Sequence, residues 1–159
     1  MATEIERKFL VTSDHWKQQI TRTIPIQQGY FCLTERVSIR VRITDKQATL
    51  NFKSVNVGIQ HTEYEYEIPI ADARQMLELF CQQPIIEKTR YLLPDHGLTW
   101  EIDVFEARNS GLIIAEIELE SVNQAIELPD WIGKEVTDDK RYYNPWLCKH
   151  PYRQWPHQP

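Results

Sequence analysis

Glu4, Glu6 and Lys8 occupy every second position of Glu4-Ile5-Glu6-Arg7-Lys8-Phe9-Leu10. A strand sends successive side chains to opposite faces. These three therefore share one face, with Ile5 and Phe9 on the other and Arg7 breaking the apolar side once. Two carboxylates and an ammonium in a row, backed by apolar residues, suit a metal ion and a phosphate together. The same grammar recurs along the chain. Ser38, Arg40 and Arg42 alternate with Val37, Ile39, Val41 and Ile43. Lys53 sits on the polar side of Thr49–Lys53. Glu63, Glu65 and Glu67 alternate with Tyr64, Tyr66 and Ile68. Lys88 pairs with Arg90, and Glu101 with Asp103. Glu116, Glu118 and Glu120 oppose Ala115, Ile117 and Leu119.

The elements that carry these rows are about eight strands, with hairpin-like spacing that favours an antiparallel sheet or barrel. Asp45-Lys46 makes a turn, and Asn109-Ser110-Gly111 is a hairpin signal. Short helices are expected from Ser13 or Asp14 to Ile20, from Ala73 to Gln82 behind an Asp72 cap, and near Asn123–Leu128. Met76, Leu77, Leu79, Phe80 and Cys81 supply the apolar face of the second. The region from Thr137 to about Lys149 reads as helical at its start, with Pro145 disturbing it, and His150–Pro159 as an irregular tail.

Alternating charged and apolar residues are normal for a sheet with one solvated face. Three features turn the charged faces inward here. Nearly every polar-face position is ionised, where a solvated face mixes in Thr, Ser and Gln. Like charges repeat at i, i+2, about 7 Å apart, a repulsion that calls for interleaved cations. The apolar faces also need cover, which helices wrapped outside would give. The expected fold is therefore α+β: a closed eight-stranded antiparallel β-barrel, a tunnel with a charged lumen and short helices packed outside. All of 1–159 forms one domain, with 138–159 as a C-terminal helical segment and tail.

At 159 residues the chain is long enough for one well-formed core. A formal charge of −5 argues against a general nucleic-acid surface. No apolar run could span a bilayer, and no apolar h-region suggests a signal peptide. Cys32, Cys81 and Cys148 lack metal-ligand spacing and read as reduced thiols of a cytoplasmic protein. The histidines show no zinc spacing. There is no Gly-rich phosphate loop. A homodimer is plausible on general grounds.

Glu-x-Glu-x-Lys at the N-terminus resembles the signature of the CYTH family, the triphosphate tunnel metalloenzymes. The resemblance extends over nearly the whole chain: Glu4-Glu6-Lys8, Arg40-Arg42, Lys53, Glu63-Glu65, Lys88-Arg90, Glu101-Asp103 and Glu116-Glu118 follow the family's order. Gly133–Tyr142 is similar to the end of bacterial members, although Asp138 stands where many carry glycine. The resemblance implies an eight-stranded antiparallel tunnel. It also implies a metal-dependent hydrolase that converts inorganic triphosphate to diphosphate and phosphate.

On that reading Lys8, Arg40, Arg42, Lys53, Lys88 and Arg90 bind the triphosphate, the arginines by bidentate hydrogen bonds. Glu4, Glu6, Glu116 and Glu118, supported by Glu65 and Asp103, hold Mg²⁺ or Mn²⁺ through oxygen. Lys8, Lys88 and Glu6 are candidates for the chemistry. Tyr30 near Lys88 is a candidate proton acceptor, weighed against an ordinary strand tyrosine. Arg141 and Lys140 contribute if the C-terminal segment folds back on a tunnel mouth. Trp146, Tyr152 and Trp155 read as packing or cap residues. Other activities fit the same scaffold: a class IV-type adenylate cyclase, a thiamine or nucleoside triphosphatase, or a non-catalytic polyphosphate- or nucleotide-binding module.

Overall fold

Long period-2 segments become long strands. The computed structural model describes residues 3–156, and the side chains of Cys32 and Leu33 lie outside what it describes. Among the described residues the strands are β1 (Thr3–Val11), β2 (Arg22–Leu33), β3 (Val37–Ile43), β4 (Ala48–Ser54), β5 (Gln60–Ile68), β6 (Ile86–Asp95), β7 (Leu98–Phe105), β8 (Ile113–Glu118) and β9 (Ile132–Glu135). Two α-helices accompany them, α1 (Ile70–Leu79) and α2 (Asn144–Lys149).

Antiparallel pairing runs β5-β4-β3-β2-β6-β7-β8-β1, and β5 returns to β1 to close the ring. Eight strands thus form the ring, as the pattern predicts, and β9 adds to β1 outside it. β9 is four residues of Ile-Gly-Lys-Glu, too short to show a period. Closure is narrow. Only Thr3, Glu4 and Ile5 pair across to Thr62, His61 and Gln60.

Apolar residues outside the ring pack in two clusters. Trp16, Trp100 and Trp131 bury against Phe9, Ile102, Ala115 and Ile117, behind β1, β7 and β8. Trp16 comes from a five-residue 3₁₀ helix, His15–Gln19, where the sequence suggests a longer helix through Ile20. The second cluster sets α1 on β3 and β4, with Ala73 and Leu77 against Val41, Ile43 and Ala48. Gly29 permits a close approach here. A Cβ at that position would lie 2.8 Å from both Cβ and Sγ of Cys81.

Several helix expectations need correction. α1 starts at Ile70 behind Pro69, so Asp72 lies in its first turn rather than at its cap. Its C-terminal Leu79 and the adjoining Phe80 are exposed instead of packed. Asn123–Leu128 is irregular, not helical; six residues ahead of Pro129 offer few helical hydrogen bonds. Pro145 does not disturb a helix. It stands in the first turn of α2, where its missing N–H costs nothing. The outer face of β5 is not covered, leaving Tyr64 and Tyr66 exposed.

α2 is not packed outside. Leu147 and Cys148 join Tyr30, Ile86, Phe105, Ile114 and Val136 in a third cluster. Ile86, Phe105 and Ile114 sit two residues from Lys88, Asp103 and Glu116, on the same inward faces. One end of the lumen is therefore filled by apolar side chains from the strands and by α2. No helix among the described residues is long and apolar enough to cross a membrane.

Candidate active site

Beyond the apolar plug the inward faces enclose a cavity of about 820 Å³. Strand register decides which charges meet. Lys8 sits opposite Glu116, and Glu6 opposite Glu118, across β1 and β8. Arg90 faces Asp103 across β6 and β7. Of the residues singled out from the sequence, Glu4, Glu6, Lys8, Tyr30, Arg40, Arg42, Lys53, Glu65, Lys88, Arg90, Glu116 and Glu118 line this one cavity. Asp103 lies behind it, fully buried and bonded to Lys88 and Arg90. Glu67 and Glu120 are exposed and do not line it.

On the acidic arc, Lys53 Nζ bridges Glu4 Oε2 at 2.5 Å and Glu6 Oε1 at 3.1 Å. Lys8 Nζ lies 3.2 Å from Glu116 Oε1 and 3.8 Å from Glu6 Oε1. Burial opposes the charge on Lys8, but Glu116 and Glu6 more than offset it and raise its pKa. Burial raises the Glu4 carboxyl above its ordinary value despite Lys53. Glu118 is raised too, by burial and then by Glu4 and Glu6. For these two carboxyls burial and like charge outweigh the cations beside them.

The cationic arc shows the reverse. Arg42 Nε donates to Gln28 Oε1 at 2.8 Å, and no carboxylate among the described residues lies within ion-pair distance of it. Burial, then Arg40 and Arg90, push its pKa down to about 10. Lys88 Nζ donates to Asp103 Oδ2 at 2.7 Å and to Asn144 Oδ1 at 3.1 Å. Burial outweighs Asp103 and brings Lys88 down to about 7. Arg90 grips Asp103 through Nε and Nη2 at 2.7 and 2.9 Å and also pairs with Glu101. Burial would raise Asp103, but Arg90 and then Lys88 reverse this and its pKa falls. Arg40 Nη2 stands 3.8 Å from both Glu63 and Glu65, and its buried Nε has no partner.

Tyr30 is buried, and its hydroxyl accepts from Gln28 Nε2 at 3.2 Å. Burial raises its pKa, so the phenol keeps its proton at neutral pH. Lys140 lines the cavity, whereas Arg141 pairs with Asp139 at the surface. Trp155 packs on Tyr142 and Tyr152. Half-exposed Trp146 stacks on His150. Gln28, Asn51, His61, Tyr143 and Asn144 reach the lumen chemistry without a signal in the sequence. Their neutral side chains break the ionised pattern that marks the rest. Asn51, for instance, donates to Glu63 at 2.5 Å from the middle of β4.

The donor set for a cation is all oxygen and suits a hard divalent ion. Among the described residues no three carboxylate, histidine or cysteine groups already converge as a cage. Lys53 occupies the space between Glu4 and Glu6 instead. The raised Glu4 and Glu118 carboxyls suit a divalent cation.

Residues 2–144 match the CYTH domain family. The inorganic triphosphatase of Acetivibrio thermocellus is 44% identical over 155 residues, spanning 98% of this chain and 99% of that protein. The inorganic triphosphatase of Nitrosomonas europaea is 38% identical over 147 residues, 89% of this chain and 94% of that one. The crystal structure of an inorganic triphosphatase superposes with a TM-score of 0.66 at 36% identity, covering 93% of this chain and 95% of that one.

Proposed function

The chain belongs to the CYTH domain family, and from that premise we propose that it hydrolyses inorganic triphosphate to diphosphate and phosphate inside the charged ring. The carrying observation is one cavity lined by Lys8, Arg40, Arg42, Lys53, Lys88 and Arg90 together with Glu4, Glu6, Glu116 and Glu118, in which Arg42 has no carboxylate partner among the described residues and Glu4 and Glu118 are raised above the ordinary carboxylate value. A triphosphate with a divalent cation satisfies both.

Arg40, Arg42 and Arg90 present N–H donors to phosphoryl oxygens. Lys8, Lys53 and Lys88 add point charges. Together they stabilise charge as it spreads onto the transferred phosphoryl group. Glu4, Glu6 and Glu118 would hold Mg²⁺ or Mn²⁺, with Glu65 and Glu116 at hand. Asp103, already gripped by two cations, serves chiefly to anchor them. A bound divalent ion would supply Lewis-acid stabilisation of charge on the phosphate oxygens. Glu6 accepts the proton of the attacking water. The apolar plug behind Ile86, Phe105 and Ile114 keeps bulk water from that end. Tyr30 keeps its proton and acts as a hydrogen-bonding wall residue. Cys81 and Cys148 are buried free thiols, as suits a reducing compartment such as the cytoplasm.

Phosphate release from purified protein tests this. Inorganic triphosphate, ATP and thiamine triphosphate are offered in parallel, each with Mg²⁺, Mn²⁺ or EDTA. Release is expected from inorganic triphosphate, abolished by EDTA. Faster release from an organic triphosphate would move the substrate assignment. Triphosphate binding without release under any condition would make the protein a binding module.

A further inference from the structure

Gln28 is wholly buried on β2, between the cationic rows of β3 and β6. Its Oε1 accepts from Arg42 Nε at 2.8 Å. Its Nε2 donates to Asn144 Oδ1 at 3.0 Å. Asn144, the first residue of α2, also accepts from Lys88 Nζ at 3.1 Å. Two neutral amides thus join two cations on different strands and tie both to the C-terminal helix.

We propose that Gln28 and Asn144 are positioning residues that aim Arg42 and Lys88 at the triphosphate without adding negative charge to either. This rests on reading the lumen as a triphosphate site. A buried cation needs its N–H groups bonded. A carboxylate would satisfy them but would cancel the charge and repel a polyanion. An amide oxygen satisfies the geometry alone. Arg90 shows the alternative, since Asp103, Glu101 and Glu116 all lie within ion-pair distance of it. Lys88 must share Asp103 with Arg90, so Asn144 completes its shell without adding a second negative charge. Arg42 has only the amide. The lowered pKa values of both cations agree with partners that orient more than they neutralise.

The isosteric variants Asn144→Asp and Gln28→Glu separate positioning from packing. Asn144→Asp keeps the oxygen that accepts from Gln28 and Lys88 and adds a charge, and aspartate is well tolerated at a helix start. Gln28→Glu keeps the oxygen that accepts from Arg42 but also loses the Nε2 donor to Asn144 and Tyr30. Thermal unfolding, calorimetric binding of inorganic triphosphate in EDTA, and kcat and KM with Mg²⁺ are measured for each. The expected result is unchanged or higher thermal stability for Asn144→Asp, and for both variants triphosphate binding weakened at least about tenfold, because a like charge now faces the anion. KM should rise more than kcat falls. Gln28→Met keeps the volume, removes the acceptor and should also raise KM. If it fails to fold, Asn144→Asp decides the matter. Folded Asn144→Asp and Gln28→Glu proteins that bind triphosphate like the parent would overturn the inference. A parent protein that binds no triphosphate and releases no phosphate would overturn the proposed function, and this inference with it.

Discussion

On the arc of β1 and β8, Glu4 and Glu118 hold their protons more tightly than ordinary carboxylates; on the arc of β3 and β6, Arg42 and Lys88 hold theirs more loosely. Burial acts on both, since desolvation disfavours whichever form is charged. What differs is the sign of the group that burial leaves under-compensated. The lumen is not simply a set of ion pairs. Each arc carries a surplus, and cross-strand pairs such as Lys8–Glu116 and Arg90–Asp103 absorb only part of it. A surplus of both signs in one cavity is what the proposed binding of a triphosphate together with a divalent cation requires.

Removing a paired cation should cost most. Arg90→Met leaves Asp103, which is wholly buried, with Lys88 alone. A loss of about 3–5 kcal/mol of stability is expected, as for a broken buried pair. Arg42→Met orphans no carboxylate, only the buried Gln28 Oε1 acceptor, so it should cost clearly less stability than Arg90→Met while KM for triphosphate increases. Chemical denaturation of the two variants side by side checks this. Equal destabilisation would mean that Arg42 is compensated after all.

Glu118→Gln probes the acidic arc. It removes a carboxyl crowded by Glu4 and Glu6, so the fold should be unharmed or stabilised. Turnover with Mg²⁺ should fall roughly 100-fold or more, the scale of losing one group that supports transition-state charge. Unchanged kcat and metal affinity would take Glu118 out of the cation site.

The smallest effect belongs outside the lumen. Arg7 holds Glu135 through paired hydrogen bonds at 2.8 Å, and this bonding lowers the Glu135 pKa. The stabilisation is present above the ordinary carboxylate value of 4.5 and is lost as pH falls through the lower folded value. The pair is partly exposed, so Glu135→Gln should cost less than about 1 kcal/mol. It should flatten the acid limb of the stability profile and leave triphosphate binding untouched.

Much of this was legible in the chain. Arg40-Arg42, Lys88-Arg90 and Glu116-Glu118 announce inward rows because the strand period is local and exact charges repeat on it. The same rows end in Ile86, Phe105 and Ile114, where the sequence reading sees only ordinary strand residues. Those positions became a plug because α2 arrives there from far along the chain. The short helix before Pro129 failed for the opposite reason: local pattern suggested it, and neither length nor packing supported it.

The sequence by itself determined which faces carry charge, their order along the chain and hence the eight-stranded ring. Alternation of side chains about a strand is a property of neighbouring residues and needs no partner. Only the tertiary structure decided which charges are neutralised and which are left in surplus. That depends on register between strands and on contacts such as Gln28 with Asn144, 116 residues apart, which no local period encodes.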